Sequence, residues 1–353
     1  MNKVWVLPPR EDWIVDRFVK EWAEDNADIT VSNPADADVI WLLADWAWRQ
    51  VPAALLASKK VLATVHHIVP SKFGWLERQE WAQRDLFVTA YQVYNQRTLD
   101  FIRPLTQKPI HLVKYWANQR IWRPTGTKGD LRRKHGLPED GYLVGSFQRD
   151  TEGAGIPQKN YQPKREKGPQ HFCDFIANLS KKRSDICVIL GGWRRQYVLN
   201  RFRTETPNVR VFSAAPEDRN QKWFERPGLV EVTWTTPPSQ YWLVPGAGTA
   251  HGRMISVDEF HEWLAPHDVI NDLYQAIDLY PITSEAEGGP QALIEAGLLN
   301  VPVVSRPVGI AEQVLPPTAI NDDVSLATPA VPNVEDWKLP QGYQPYRDLI
   351  QSL

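Results

Sequence analysis

The chain has 353 residues, too many for one typical domain and enough for two with cores of their own. Apolar residues make up 42% and charged residues 23%, which excludes a disordered or fibrous chain. The formal net charge of −2 gives no electrostatic reason to expect nucleic acid or a membrane surface as partner. Cys173 and Cys187 are the only cysteines, too few for a disulfide framework, so a reducing, cytoplasmic compartment is expected. The opening stretch Met1 to Pro8 is a short apolar strand stopped by proline and reads as neither signal peptide nor membrane span, and no later segment is long enough for one. Membrane contact is then at most peripheral, through runs such as Arg132-Arg133-Lys134 and Lys181-Lys182-Arg183, which read first as solvated helix faces. Most of the 16 Trp residues are expected in the core.

In the first third, strands are predicted at Val4 to Leu7, Val39 to Leu43, Val61 to His67, Leu86 to Ala90 and Ile110 to Tyr115. Between the first two, Ile14, Phe18 and Trp22 recur every four residues within Trp13 to Ala23 and make one apolar helical face. Such alternation argues for a doubly wound parallel sheet, with ligands at the carboxyl ends of the strands. His66 and His67 end the third of these strands, so one points into the cleft and the other into packing or solvent. Asp36-Ala37-Asp38 precedes a strand and reads as a polar turn rather than a metal site.

The breaker-rich stretch Arg123 to Gly129 is the expected linker, between a first domain of 1–122 and a second of 130–318, with a tail of 319–353 expected against the first domain. A second alternation follows: helix Leu131 to His135, strand Tyr142 to Phe147, helix Gln170 to Leu179, strand Ile186 to Leu190, helix Val269 to Ala276 and strand Leu279 to Ile282. Two stretches interrupt it, Asp150 to Glu166 and the Pro-rich, poorly periodic Phe212 to Trp263. Loops of that size tend to be functional or mobile.

The segment Ser284-Glu285-Ala286-Glu287-Gly288-Gly289-Pro290-Gln291-Ala292-Leu293-Ile294-Glu295-Ala296 carries the chemistry. Gly288-Gly289 allows a tight turn, and Pro290 suits a first helical position. Free amides of that first turn favour a phosphate or a polarised hydroxyl. Glu295 lies roughly 7 to 8 Å into the helix at 1.5 Å per residue, so Glu287 and Glu295 can hold two ends of an extended ligand. Val301 to Ser305 follows as a buried strand, and then a turn at Gly309 leads into another helix.

With Glu287, Glu295, Pro302-Val303-Val304 and Gly309 in place, the sequence resembles the retaining nucleotide-sugar glycosyltransferases of family 4. The resemblance covers about forty residues closely and extends weakly to Trp122 and Pro124. It implies a GT-B fold, two Rossmann-like α/β domains facing a cleft, and sugar transfer from a nucleoside diphosphate, UDP- or GDP-linked, without metal or other cofactor. By the same resemblance Arg149 and Lys167 contact the diphosphate, with Lys164 a rival because the insertion of 150–166 alters the spacing. Glu287 meets hydroxyls of the transferred sugar, Glu295 meets the ribose, and amides near Gly288 and Gly289 complete the cradle. Gly191-Gly192 resembles the glycine turn beneath the base. One of His66 or His67 serves near the acceptor, with His66 marginally preferred. Many members have glycines after the first strand where this chain has Pro8-Pro9-Arg10, so Arg10 either supplies a charge there or stands back. The acceptor is a glycan, a lipid-linked sugar or a small molecule. Glycosylation of modified DNA bases and a catalytically silent nucleotide- or glycan-binding module are the rival readings; salt-sensitive retention on DNA would mark the first, and absence of nucleotide release the second.

Overall fold

The computed structural model describes residues 1–11, 14–152, 162–192, 195–214, 229–234, 240–245, 253–256 and 267–353. The chain divides into two units, one of residues 1–118, 286–290 and 334–353, the other of residues 119–285 and 291–333.

The first unit is built on five strands: β1 (Val4–Val6), β2 (Val39–Leu42), β3 (Lys60–Val65), β4 (Ala90–Val93) and β5 (Ile110–Leu112). They pair in that order and all in parallel, with Val4 opposite Val39, Ile40 opposite Val61 and Ala63 opposite Tyr91. Helices α1 (Ile14–Asp25), α2 (Ala53–Ser58), α3 (Trp75–Asp85) and α4 (Gln96–Ile102) make the crossovers that parallel pairing requires. Trp13, with which the predicted first helix would begin, lies outside the described residues. The predicted strand Leu86 to Ala90 is displaced. Leu86 caps α3 and is 78% exposed, and the strand is the fully buried run Ala90-Tyr91-Gln92-Val93. Gln92 hides that run from an apolar pattern; inside the fold its Nε2 donates to the carbonyls of Val93 and Val113.

Aromatic packing binds the C-terminus into this unit. Trp22 meets Trp41 edge-on at 5.0 Å and Tyr343 at 5.5 Å, and Trp116 meets Tyr346 at 5.1 Å. Trp116 Nε1 donates to the buried Glu21 Oε2 at 2.6 Å, and Arg347 of the final helix Gln344–Ser352 pairs with Asp28 at 2.6 Å.

The second unit has β6 (Tyr142–Ser146), β7 (Ile186–Leu190) and β8 (Arg210–Ala214) in parallel, then β9 (Leu229–Trp234), β10 (Gln240–Pro245) and β11 (Arg253–Ser256) as an antiparallel meander on the β8 edge. The stretch expected as an irregular loop, 212–263, therefore carries three strands that widen the sheet; 215–228, 235–239, 246–252 and 257–263 lie outside the described residues. On the other edge, β12 (Tyr280–Ile282) and β13 (Val303–Ser305) pair in parallel, and Gly145 N donates to Leu279 O at 2.9 Å beside β6. The helices are α5 (Lys128–Lys134), α6 (Pro169–Ser180), α7 (Gln196–Glu205), α8 (His267–Ala276), α9 (Gln291–Leu298) and α10 (Ala311–Val314). Phe172, Ile176, Val188, Leu199, Phe202 and Val211 form the centre of its core.

The expected linker 123–129 is fastened within this second unit. Thr125 Oγ1 donates to Asp272 Oδ1 at 2.6 Å, Arg123 N to Asn271 Oδ1 at 3.2 Å, and Thr127 caps α5. Likewise 319–333 lies with the second unit, where Asn321 N donates to Ser305 O and Ala330 N to Val303 O, and only the chain from Val334 joins the first.

Candidate functional site

In the first unit the loop Ala286–Pro290 is fitted against the ends of β3 and β4. A Cβ on Gly288 would lie 1.8 Å from the His66 carbonyl oxygen, and one on Gly289 would lie 2.2 Å from Tyr115 Cε2. Only glycine allows that approach. Asn95 both caps α4, accepting from Thr98 N, and donates through Nδ2 to the Gly288 carbonyl. The helix begins at Gln291, one residue after Pro290, so the proline precedes the first turn rather than opening it. The unit division falls at the same step: Glu287 belongs to the first unit and Glu295 to the second.

The two histidines differ. His66 places Nε2 at 2.8 Å from the Leu43 carbonyl and Nδ1 at 3.3 Å from the Tyr115 hydroxyl, among the rings of Trp46, Tyr94 and Tyr115. Burial pulls its pKa down to about 4, so the ring is neutral at pH 7. His67 instead lines, with Glu287, Arg97, Ile68 and Phe101, a small cleft that is partly open to solvent. Of the pair, His67 is the one that borders this cleft. Asp45, unnoticed in the sequence, is buried beside it, paired with Arg84 at 2.9 Å; burial raises its pKa against the pull of Arg84 and His67. Tyr115 is held well above its ordinary value, by burial first, then by neighbouring Tyr94 and by the charge of Glu287.

Arg10 has φ of 60° in a loop that Asp16 folds back, accepting from the amides of Arg10 and Glu11 at 2.9 and 2.8 Å. Its side chain is exposed, while neighbouring Glu11 accepts from Trp46 Nε1 at 2.8 Å.

In the second unit the two described ends of the insertion that disturbed the Arg–Lys spacing pair with each other. Thr151 bridges Pro163, Glu152 N donates to Gln162 O, and Lys164 N donates to Asp150 O; 153–161 lie outside the described residues. Lys164 and Lys167 thereby return to Arg149. Burial lowers the Lys164 pKa, Glu166 at 3.5 Å opposes that, and the charges of Arg149 and Lys167 lower it further. Arg149 Nε donates to Thr151 O, and Gln148 Nε2 to Lys167 O, each at 2.9 Å, so the backbone around both cations is tied together.

These cations stand just ahead of α6, whose N-terminus is made by Gly168 at φ 58° and Pro169. A Cβ on Gly168 would meet the Thr283 carbonyl oxygen at 1.9 Å. A twelve-residue helix ending in free amides beside three cations suits a polyanion. Glu285 sits on the same helix start, accepting from Gln170 Nε2 at 2.7 Å and lying 3.0 Å from His171 Nε2.

Glu295, on α9, is held by Tyr274, and Tyr280 lies next in the chain of contacts. Both phenols are buried, which raises them, Tyr280 to about 12, with the Glu295 carboxylate adding to the effect. Sequence reasoning missed these tyrosines because they sit in apolar runs. Gly191 and Gly192 follow β7, where Cβ atoms would lie 2.9 Å from Phe147 Cδ1 and 2.6 Å from Phe147 O. Gly192 has φ of 125°. Asp36 ends a short helical turn capped by Asn33, and Asp38 accepts from Lys3 N at 2.8 Å. Among the described residues there is no cluster of three or more His, Cys, Asp or Glu that could hold a metal, and no helix long and apolar enough to cross a membrane.

No protein-family model and no curated protein matches the chain. Solved structures do. Anabaena HepE in complex with UDP and glucose matches with a TM-score of 0.59 at 12% identity, over 90% of this chain and 84% of that one. The same protein with UDP-glucose gives 0.59 at 12% over 93% and 88%. Sucrose-phosphate synthase of Thermosynechococcus elongatus gives 0.52 at 15% over 96% and 79%. At these identities the likeness is one of fold, and the fold is GT-B, with a Rossmann-like α/β arrangement in each unit.

Proposed function

We propose that the protein moves a sugar from a nucleoside diphosphate to an acceptor hydroxyl with retention of anomeric configuration, in the manner of the family 4 enzymes it resembles. The observation that carries the reading is the return of Lys164 and Lys167 to Arg149 across the insertion, ahead of the N-terminus of α6. As the glycosidic bond breaks, charge grows on the departing diphosphate. Preorganised cations and helix amides meet that charge without the cost of reorienting water. In this reading they do the work a metal ion does elsewhere.

Glu295, already accepting from Tyr274, is assigned to the ribose hydroxyls, since an ionised carboxylate accepts from vicinal donors. Glu287 is assigned to hydroxyls of the transferred sugar, and His67 to the acceptor. His66 supports the glycine loop through its carbonyl contact with Gly288. Retention calls for front-face displacement through an oxocarbenium-like transition state or for a nucleophile that forms a covalent intermediate. The HepE complexes contain UDP and UDP-glucose, which makes a uridine donor the first to try and a GDP-sugar the second. The acceptor class proposed is a glycan, a lipid-linked sugar or a small molecule, met in the cytoplasm.

Thermal-shift measurements with UDP-, GDP-, ADP- and CMP-sugars test the donor, because a ligand that binds only the native state raises its apparent stability. Glu287→Ala should lower transfer by about 10³-fold with the thermal midpoint unchanged. Unaltered turnover in that variant would remove Glu287 from the site.

A further inference from the structure

Behind the cations of the second unit lies an ion pair that the transfer chemistry does not use. Arg195 Nε stands 3.0 Å from Asp150 Oδ2, and both side chains are 2% exposed. Arg195 Nη2 donates to Ser146 Oγ at 2.9 Å, at the end of β6. Thr151 Oγ1 donates to Asp150 Oδ1 at 2.6 Å, and the first amides of α7, from Tyr197 and Val198, are directed at the same carboxylate. Tyr197 N also donates to Thr151 Oγ1 at 3.0 Å. Through its backbone Asp150 accepts from Lys164 N at 2.8 Å, and its neighbour Arg149 donates to Thr151 O. One buried residue thus ties together the end of β6, the start of α7, Arg149 and Lys164.

From this geometry we propose that the Asp150–Arg195 pair positions the Arg149, Lys164 and Lys167 cluster, so that the cluster binds a diphosphate tightly only while Asp150 is ionised. The inference rests on the nucleotide-sugar reading for its ligand but not for its structural half. Burial pushes the Asp150 carboxyl up to about 6, against the pull of Arg195, the Thr151 hydroxyl and the α7 amides. The groups facing it are Arg195 from the α7 start, Thr151 beside it in the chain, and Cys173 from α6, whose thiol burial keeps neutral. With the folded value above the ordinary 3.8, the charged pair costs the fold stability, and that cost is relieved as pH falls through about 6. Anion binding moves the other way, weakening over the same range. A pair with a purely structural role would not separate the two.

The test is titration of UDP-glucose into wild type, Asp150→Asn, Arg195→Lys and Ser146→Ala from about pH 5 to 8, a range in which a diphosphate diester has no second proton to take up. Amide exchange at Lys164, Tyr197 and Val198 is followed without ligand. Wild-type affinity should fall about tenfold between about pH 8 and 5. Asp150→Asn should be weak and flat with pH, Arg195→Lys should retain part of the affinity and the pH dependence, and Ser146→Ala should weaken binding while keeping the pH dependence. The three amides should exchange faster in Asp150→Asn. If Asp150→Asn matches wild type in affinity, pH dependence and exchange, the proposal is overturned while the donor reading stands. If wild type fails to bind UDP-glucose at every pH, that reading loses its uridine donor, and the exchange result alone decides the positioning role. Should Asp150→Asn not fold, wild type and Ser146→Ala decide: a flat wild-type curve overturns the proposal.

Discussion

The two units prepare their candidate residues by different physical means. In the first unit the 286–290 loop is held by steric fit: Gly288 lies against the His66 backbone, Gly289 against the Tyr115 ring, and Asn95 holds the Gly288 carbonyl. In the second unit the candidate residues are held by charge, with Arg149, Lys164 and Lys167 gathered over a buried ion pair and ahead of a helix start. A fit of backbone to backbone breaks all at once when a methyl group is added, whereas a cluster of cations weakens by degrees and responds to pH and salt.

The largest expected effect follows from the steric case. Gly288→Ala must displace the loop or the end of β3, so stability should drop by about 1 to 3 kcal/mol and transfer should vanish with it, read by denaturant unfolding and a turnover assay. If alanine is accommodated with full activity, the contrast between the units is lost.

A pH experiment separates the units next. His66 takes up a proton at about 4 in the fold and near its ordinary 6.5 when unfolded, so the unfolded state binds more protons between those values. Stability should therefore fall as pH drops from 6.5 towards 4, by up to about 3 kcal/mol. His66→Gln should remove that component, and an unchanged pH–stability curve in the variant would assign the decline to other groups. The smallest effect is expected at Tyr274→Phe, which takes one donor from Glu295. Nucleotide affinity should change by about 0.5 to 1.5 kcal/mol in calorimetry, with the fold intact, and no change would detach Glu295 from the ligand.

Much of this was legible in the sequence where one face or one run is uniformly apolar. β7 matches its expected bounds, α6 and α8 agree within two residues, and Leu293 and Ala296 are buried as the helix pattern requires. Pairs of glycines marked places where backbones touch, and the Arg149 to Lys167 separation marked an insertion. What stayed hidden depends on partners far away in the chain. β4 contains Gln92, whose burial makes sense only once Val113 is beside it. Asp150 and Arg195 look like surface charges in the sequence, yet the fold pairs and buries them together. Strands β9 to β11 lack clean alternation, and the division between units passes through the motif itself, after Pro290, which a linear boundary signal such as Arg123 to Gly129 cannot reveal.

The cation cluster is central to donor binding, and calorimetric titration of UDP-glucose into wild type and into a Lys164→Ala/Lys167→Ala double variant tests it. Two lost charge-assisted contacts should weaken binding by about 100-fold or more, with the thermal midpoint of the free protein little changed. Equal affinity in the two proteins would contradict the claim that these lysines hold the diphosphate.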